Sequence, residues 1–192
     1  MAETDNPVGL HAGSDPYEAD TFSSSYHGGP DGHRMHYDEA RDYVQTAAAK
    51  LVASGVFDRH PKPKCLVSDV GATWVPFMAD HLDKAYGQAV DRVLSKFKRL
   101  PSEWVFENVH ASFQHDRSAP QALAGMGYEN VCWGSDYPYL EGTFGRTRKT
   151  LHELIADLTP EQRERITKGA LKELFPHVPP APEDGTELSE DA

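Results

Sequence analysis

The feature that most constrains the fold of this chain is the alternation of short apolar segments with longer segments of helical spacing. The apolar segments that predict β-strands lie at 8–11, 64–69, 106–112 and 131–135. Apolar residues recur at intervals of three and four in 37–54, 73–97, 119–126, 147–158 and 159–174. Strands that alternate with helices predict a parallel sheet. We therefore expect an α/β fold of about four βα units, with the strands paired in chain order and the helices on one face.

A histidine or an aspartate lies at the predicted end of each strand: His11, Asp69, His110 and Asp136. The carboxyl ends of parallel strands meet at one edge of the sheet, where α/β enzymes carry their active sites. Imidazole and carboxylate groups are suitable ligands for a catalytic Zn²⁺ ion. The same residues would equally serve as caps of the loops that follow the strands. Metal chemistry and simple capping both stay open on this pattern alone.

Local metal-binding motifs are absent, because the sequence contains no HxH, HExxH or CxxC. The polar segment 12–37 is long for a loop, and it carries His27, His33 and His36, which either bind a metal or are simply solvated. Cys65 and Cys132 lie in apolar runs and are predicted to be buried free thiols in a reducing compartment. The cytoplasm is therefore the expected location.

Charge and hydropathy disfavour several classes of protein. The 192 residues carry a formal net charge of -11, which disfavours binding to nucleic acid or to an anionic membrane surface. No apolar run approaches the ~18 residues that a membrane-spanning helix needs. Residues 183–192 hold five acidic side chains and follow a proline-rich stretch. The segment 177–192 is therefore predicted to be a disordered acidic tail.

Several sequence blocks, taken together, resemble a known family. They are GVFDRHPK at 55–62, CLVSDVGATWVP at 65–76 and WGSDYPYLEGT at 133–143, with PSEW at 101–104 and ASFQHD at 111–116 between them. Their order and spacing are similar to those of the amidohydrolase-related family, which includes aminocarboxymuconate semialdehyde decarboxylase and related metal-dependent hydrolases. The resemblance extends from about Pro7 to Phe175, which is nearly all of the chain outside the predicted tail.

The resemblance implies a (β/α)8 TIM barrel with one metal ion, usually zinc. In PVGLHAG, His11 is similar to the fifth-strand histidine ligand. In VCWGSDYP, Asp136 is similar to the final aspartate, which in the family contacts the metal and helps to activate water. Asp69 stands where decarboxylases carry a sixth-strand histidine and other members an acidic residue, and Tyr139 stands where many relatives have a histidine. The resemblance thus assigns His11 and Asp136 as metal ligands and Asp136 as the catalytic residue.

Two departures from the family pattern limit this assignment. The HxH pair of the first strand is absent, and the start of the chain resembles a fourth helix entering a fifth strand. A complete barrel needs ~250 residues, so we expect 1–176 to form the C-terminal half of one. Two ligands would hold zinc only weakly.

The sequence therefore predicts half of a metal-dependent hydrolase or decarboxylase for a small-molecule substrate. Its partner would be a missing N-terminal half or a second copy of the chain in a homodimer. The alternative function is that of a non-catalytic half-barrel remnant or an interaction module.

Overall fold

The computed structural model describes residues 6–11, 32–89 and 97–179, except for the side chains of 32–40 and Ala89. The strands are β1 (Val8–His11), β2 (Cys65–Ser68), β3 (Val109–Phe113) and β4 (Val131–Trp133). The helices are α1 (Gly32–Ala53), α2 (Val56–Arg59), α3 (Trp74–Ala89), α4 (Pro101–Asn108), α5 (Ala119–Met126), α6 (Thr147–Ile155), α7 (Pro160–Glu164), a π-helical turn (Arg165–Gly169) and α8 (Ala170–Leu174). His27, the side chains of His33 and His36, and residues 180–192 of the predicted tail lie outside this described part.

The four strands form one parallel sheet in the order β1-β2-β3-β4. Val8 pairs with Cys65, Cys65 with Val109, and Ala111 with Val131. The predicted α/β fold, with four βα units and strands paired in chain order, is therefore confirmed. Parallel strands cannot be joined by tight turns, and helices make the crossovers here. Within the described residues, β1 and β4 each pair on one side only, as expected for part of a barrel.

The outer face of the sheet carries the main hydrophobic core. Alternate strand residues point to this face and are fully buried: Cys65, Val67, Val109, Ala111 and Val131. They pack with apolar residues of helices α1 to α6, among them Val52, Val75 and Val105. Helices α1, α3, α5 and α6 cover the sheet with their apolar stripes, as the spacing of three and four predicts. Among the described helices, none combines the length and the apolar character that crossing a bilayer requires.

The inner face of the sheet is partly covered by the C-terminal helix α8. Leu66 and Cys132 alternate with the residues of the main core and so point to the opposite face. There they pack with Ala170, Leu174 and Phe175 in a second cluster. The prediction that all helices lie on one face is therefore wrong for α8, although α1 to α6 follow it.

Hydrogen bonds of the Arg165 side chain fix the segment in which the chain passes from the outer to the inner face of the sheet. Arg165 donates from Nε to the carbonyl oxygen of Glu129 (2.8 Å) and from a terminal nitrogen to Oδ1 of Asn130 (3.0 Å). The adjacent Ile166 belongs to the outer core, whereas Ala170, about one turn later, belongs to the inner cluster. The π-helical turn is thus the point at which the chain passes from one face of the sheet to the other.

The segment before β3 also differs from the prediction. Residues 106–108, predicted as strand, are the end of α4, and β3 begins at Val109. Pro101 occupies the start of the helix, where its fixed φ is favourable. The Glu103 carboxylate accepts a hydrogen bond from the N–H of Leu100 (2.9 Å), which caps the same end. Because the helix runs directly into the strand, His110 is the second residue of β3 and not its last.

Candidate functional site

Three of the four predicted site residues lie at the carboxyl ends of strands. His11 is the last residue of β1 and pairs with Ser68, the last residue of β2. Asp69 follows Ser68 directly, and Asp136 lies shortly after Trp133, where β4 ends. Because the strands are parallel, these residues share one edge of the sheet, which we call the rim.

Charge connects the rim residues to one another. The carboxyl group of Asp69 is partly buried, and burial raises its pKa above the ordinary value. Electrostatic interaction with Asp136 raises this pKa further, whereas electrostatic interaction with His11 and with Arg41 lowers it. Charges influence a pKa in this way only when they lie close in space. The fold therefore brings His11, Asp69 and Asp136 to one region of the rim.

The backbone of Asp69 is left-handed, with a φ of 64°. Few residues other than glycine adopt this conformation, and aspartate is among the more tolerant ones. The N–H of Asp69 donates to Oγ of Ser112 (3.3 Å), and Nε2 of Gln114 donates to its Oδ1 (3.2 Å). Two side chains from β3 and the loop that follows it thus hold Asp69 at the rim.

Asp136 lies in a loop that folds back on its own strand. Its φ is 55°, which is also left-handed. Thr143 is fully buried, and its N–H and hydroxyl both donate to the carbonyl oxygen of Ser135, at 2.8 and 3.3 Å. Gly142 has no room for a side chain, because a Cβ there would lie 2.7 Å from the carbonyl oxygen of Asp136. A closed, hydrogen-bonded turn therefore presents Asp136.

The same loop carries four exposed apolar side chains close to Asp136 in sequence: Tyr137, Tyr139, Leu140 and Phe144. The rings of Tyr137 and Phe144 lie 5.4 Å apart. Tyr139, at the position where relatives of the family carry a histidine, is 60% exposed. Exposed apolar groups of this size, when they lie together, often mark a surface that a ligand or another part of a protein covers.

The fourth predicted residue, His110, does not belong to the rim. It pairs with Leu66 and is fully buried on the inner face. Burial lowers the pKa of its imidazole to about 4. Neither ring nitrogen has a hydrogen-bond partner among the described residues. The placement of His110 at a strand end was wrong, because β3 continues to Phe113, three residues beyond His110.

The rim residues have the donor chemistry of a divalent-metal site. An imidazole and two carboxylates lie along this rim, and the charge of Asp136 opposes ionisation of Asp69, which a bound cation would offset. Within residues 6–11, 32–89 and 97–179, however, no cluster of three or more His, Cys, Asp or Glu is arranged to hold a metal ion. His11, Asp69 and Asp136 therefore fit part of a ligand set. Burial raises the pKa of Cys65 and Cys132 to about 12, so neither thiol is a suitable ligand.

Two residues that hold Asp69, Ser112 and Gln114, were not predicted from the sequence. Both alternate with the buried apolar residues Ala111 and Phe113. Once the strand is set at 109–113, this alternation indicates that they point away from the outer core. The signal was therefore present but depended on the correct strand boundary. Arg41 lies on α1, and nothing in the sequence pattern points to it.

A parallel half-barrel with acidic and imidazole groups at its rim defines a protein of the α/β barrel class. Residues 1–176 match the amidohydrolase family, and the chain belongs to that family. The resemblance carried by the sequence blocks is therefore confirmed. Curated protein sequences contain no significant match to this chain.

Solved structures share this fold at low sequence identity. An amidohydrolase from Mycobacterium avium subsp. paratuberculosis K-10 is 22% identical with a TM-score of 0.73, and the match covers 91% of this chain and 43% of that one. The 5-carboxyvanillate decarboxylase from Sphingomonas paucimobilis is 21% identical with a TM-score of 0.71. The match covers 92% of this chain and 51% of that one. A dihydroxybenzoic acid decarboxylase from Polaromonas sp. JS666, with bound manganese and 2-nitroresorcinol, is 18% identical with a TM-score of 0.65. The match covers 91% of this chain and 51% of that one. This chain thus spans about half the length of these proteins.

Proposed function

We propose that this chain contributes the C-terminal half of a metal-dependent hydrolase or decarboxylase that acts on a small-molecule substrate. Its metal ligands are His11 and Asp136, and Asp136 is also the catalytic residue. The metal is divalent: zinc is usual in the family that the sequence resembles, and manganese is present in related structures. A cytoplasmic location is consistent with Cys65 and Cys132, which are both free and buried.

The proposed roles follow from the chemistry of the two side chains. A divalent metal, when bound, supplies positive charge that polarises a substrate carbonyl or carboxylate group. Asp136 accepts the proton of the attacking water, since a carboxylate held beside the reacting group is a suitable general base. His11 contributes an imidazole nitrogen donor from the end of β1. The products are those of C–N or C–O hydrolysis, or CO₂ from a carboxylated ring or enol.

One observation carries the proposal: His11, Asp69 and Asp136 lie at or just after the carboxyl ends of β1, β2 and β4 of one parallel sheet. These residues end or follow three different strands, so only the folded sheet brings their charges together. Asp69 and Asp136 also both hold left-handed backbones. Non-glycine residues in this conformation occur preferentially at functional sites. Together these features support a polar site on the rim.

The alternative is a half-barrel that folds and associates but does not catalyse, either as a remnant or as an interaction module. The lack of a three-donor metal cluster in the described part of the chain favours this alternative. The exposed apolar side chains of the loop after β4 would then form a contact surface rather than part of a substrate site.

Metal content and turnover, measured with and without a complementary half, test the proposal. We expect the 192-residue chain alone to bind Zn²⁺ weakly, to lose it on dialysis and to show negligible turnover. The substrate panel comprises amides, lactones and aromatic carboxylates. An added N-terminal half of an amidohydrolase that carries HxH should raise both metal retention and turnover, because it supplies the remaining ligands.

In that assembled protein, Asp136→Asn should reduce turnover by at least about 10²-fold, because it removes the proton acceptor while keeping the side-chain shape. The matched control is Asp157→Asn, since Asp157 is exposed after the end of α6. Turnover that survives in Asp136→Asn excludes the catalytic role of this residue. Tight metal binding and full turnover by the chain alone would show instead that other residues complete the site.

A further inference from the structure

We propose that α8 is an acid-released cover of the inner face of the sheet: protonation of His110 detaches α8 while the sheet and the outer core stay folded. This device is separate from the proposed function, because it involves none of the rim residues. It gives a role to a buried imidazole that the proposed chemistry leaves unused.

His110 lies between two strands whose inner-face residues pack with α8. It pairs with Leu66 of β2, and β4 with Cys132 lies on its other side. Leu66 and Cys132 both belong to the inner cluster with Ala170 and Leu174 of α8. His110 itself is fully buried. The helix therefore closes the inner face over the imidazole, and water reaches the ring only when this cover moves.

The buried imidazole lacks compensating hydrogen bonds. Neither Nδ1 nor Nε2 of His110 has a partner among the described residues. A buried polar group without a partner is costly, and a buried charge without one is far more costly. The closed position of α8 therefore tolerates the neutral imidazole but opposes the imidazolium. Once α8 is released, water solvates both forms.

The charges near His110 do not offset this cost. Burial is the largest influence on the pKa of His110 and lowers it to about 4. Glu173 of α8 and, most weakly, the backbone of Asn108 raise this pKa, whereas Lys64 and Arg165 lower it. Glu173 is already paired, because its Oε2 lies 2.8 Å from Nη1 of Arg165. The surroundings of the ring thus disfavour the proton as long as α8 is closed.

The chain before α8 has its own attachment, so the helix can leave without it. The guanidinium of Arg165 donates to the carbonyl oxygen of Glu129 and to Oδ1 of Asn130, which fixes the π-helical turn. Beyond this turn, α8 has only five residues, Ala170–Leu174. Its buried residues belong to the small inner cluster and not to the main core. Segments with few buried apolar contacts open locally at a lower free energy than the whole fold.

Acid should therefore shift α8 from the closed to the released position. The imidazole titrates near its ordinary pKa of about 6.5 when exposed, and near 4 when covered. Release becomes more favourable as the pH falls below about 6.5, and the gain ends near pH 4. Between pH 7 and pH 5, these two pKa values raise the equilibrium constant for release about 20-fold.

The two cysteines distinguish release of α8 from unfolding of the whole chain. Cys132 belongs to the inner cluster with α8, whereas Cys65 belongs to the outer core. Burial raises the pKa of both thiols to about 12, so both are unreactive while covered. The probe is 4,4′-dithiodipyridine, which labels exposed thiols at acidic and neutral pH, and peptide mass spectrometry assigns the label to one cysteine or the other.

Labelling of the full 192-residue chain is followed at pH 7 and pH 5, and each rate is divided by that of a free cysteine peptide at the same pH. We expect the corrected rate of Cys132 to rise about 20-fold from pH 7 to pH 5. Cys65 should react at least about tenfold more slowly than Cys132 at both pH values, because only global unfolding exposes it. Equal rates at the two cysteines would mean that both report global unfolding, which overturns the release of α8.

Three variants test the trigger and the attachment of the helix. His110→Leu should make the corrected Cys132 rate nearly independent of pH, whereas the matched control His152→Leu, exposed on α6, should behave as the wild type. Glu173→Gln removes the ion pair with Arg165 and should raise Cys132 labelling at pH 7 about threefold while leaving Cys65 unchanged. A Cys132 rate that rises with acid in His110→Leu as it does in the wild type overturns the role of His110.

Discussion

The ionisation of His110 makes the stability of this fold depend on pH. The imidazole is fully buried on the inner face, and burial lowers its pKa to about 4. In an unfolded chain the ordinary value is about 6.5. The folded state therefore requires the neutral form, and the unfolded state takes up the proton first. This contribution to stability is complete above about pH 6.5 and is lost as the pH falls from there towards 4.

We expect the free energy of unfolding to fall by about 2 kcal/mol more between pH 7 and pH 5 in the wild type than in His110→Leu. Urea unfolding at several pH values and constant ionic strength measures this difference. The charges of Glu173, Lys64 and Arg165, which act on the imidazole, remain in both proteins. His152→Leu, at an exposed position, should keep the pH dependence of the wild type. An identical pH dependence in His110→Leu would contradict this role.

At the scale of single residues, the sequence could identify those that follow an apolar strand directly. His11, Asp69 and Asp136 were found in this way, since a strand end is a local feature. His110 was misplaced because it lies inside its strand, which ends at Phe113. Gln114 and Ser112 were missed because their role is to contact another loop. Such a contact between residues 45 positions apart in sequence exists only in the folded chain.

At the scale of elements, the strands and most helices could be predicted because their apolar spacing differs clearly. The segment from Pro101 to Asn108 could not, since its apolar residues are compatible with either state. Pro101 at the first helical position and the cap formed by Glu103 stabilise the helix at this segment. The passage of α8 to the inner face could not be predicted either. The apolar residues of α8 indicate that the helix is buried, but no local sequence pattern indicates which face of the sheet it covers.

The segment that leads to α8 begins with a capping box at Thr159. Oγ1 of Thr159 accepts from the N–H of Gln162 (3.3 Å), and Oε1 of Gln162 accepts from the N–H of Thr159 (3.1 Å). Thr159→Ala should therefore lower the free energy of unfolding by about 1 kcal/mol, because one N–H loses its partner. Urea unfolding measures the loss. Thr159→Ser retains the hydroxyl group and should cost much less, so equal losses in both variants would argue against the cap.

At the scale of the whole molecule, the two unpaired strand edges are expected to determine whether chains associate. Within the described residues, β1 and β4 each have one partner strand. Unpaired edges are templates for pairing with further chains. We expect the 192-residue chain to associate as its concentration rises, with a mass distribution that extends beyond the dimer. Light scattering coupled to size-exclusion chromatography measures this distribution.

A lysine on the β1 edge should reduce this association. Gly9 is exposed, and a Cβ built there meets no atom within 4 Å, so Gly9→Lys introduces charge without a clash. Lysine on an edge strand opposes pairing with another chain. Gly125→Lys makes the same change on α5, where a Cβ also meets no atom within 4 Å, and it should leave association unchanged. A wild-type chain that stays monomeric at every concentration would show that its edges are protected.

The position of α8 limits which segment could complete a closed barrel with this chain. The helix lies against Leu66 and Cys132 on the face that would become the barrel interior. A second copy would bring its own α8 to the same interior, where space is already filled by side chains. The α8 helices of two identical halves would therefore overlap in the barrel interior. We therefore expect that a segment which closes a barrel with this chain differs from a second copy of it and lacks a helix of this kind.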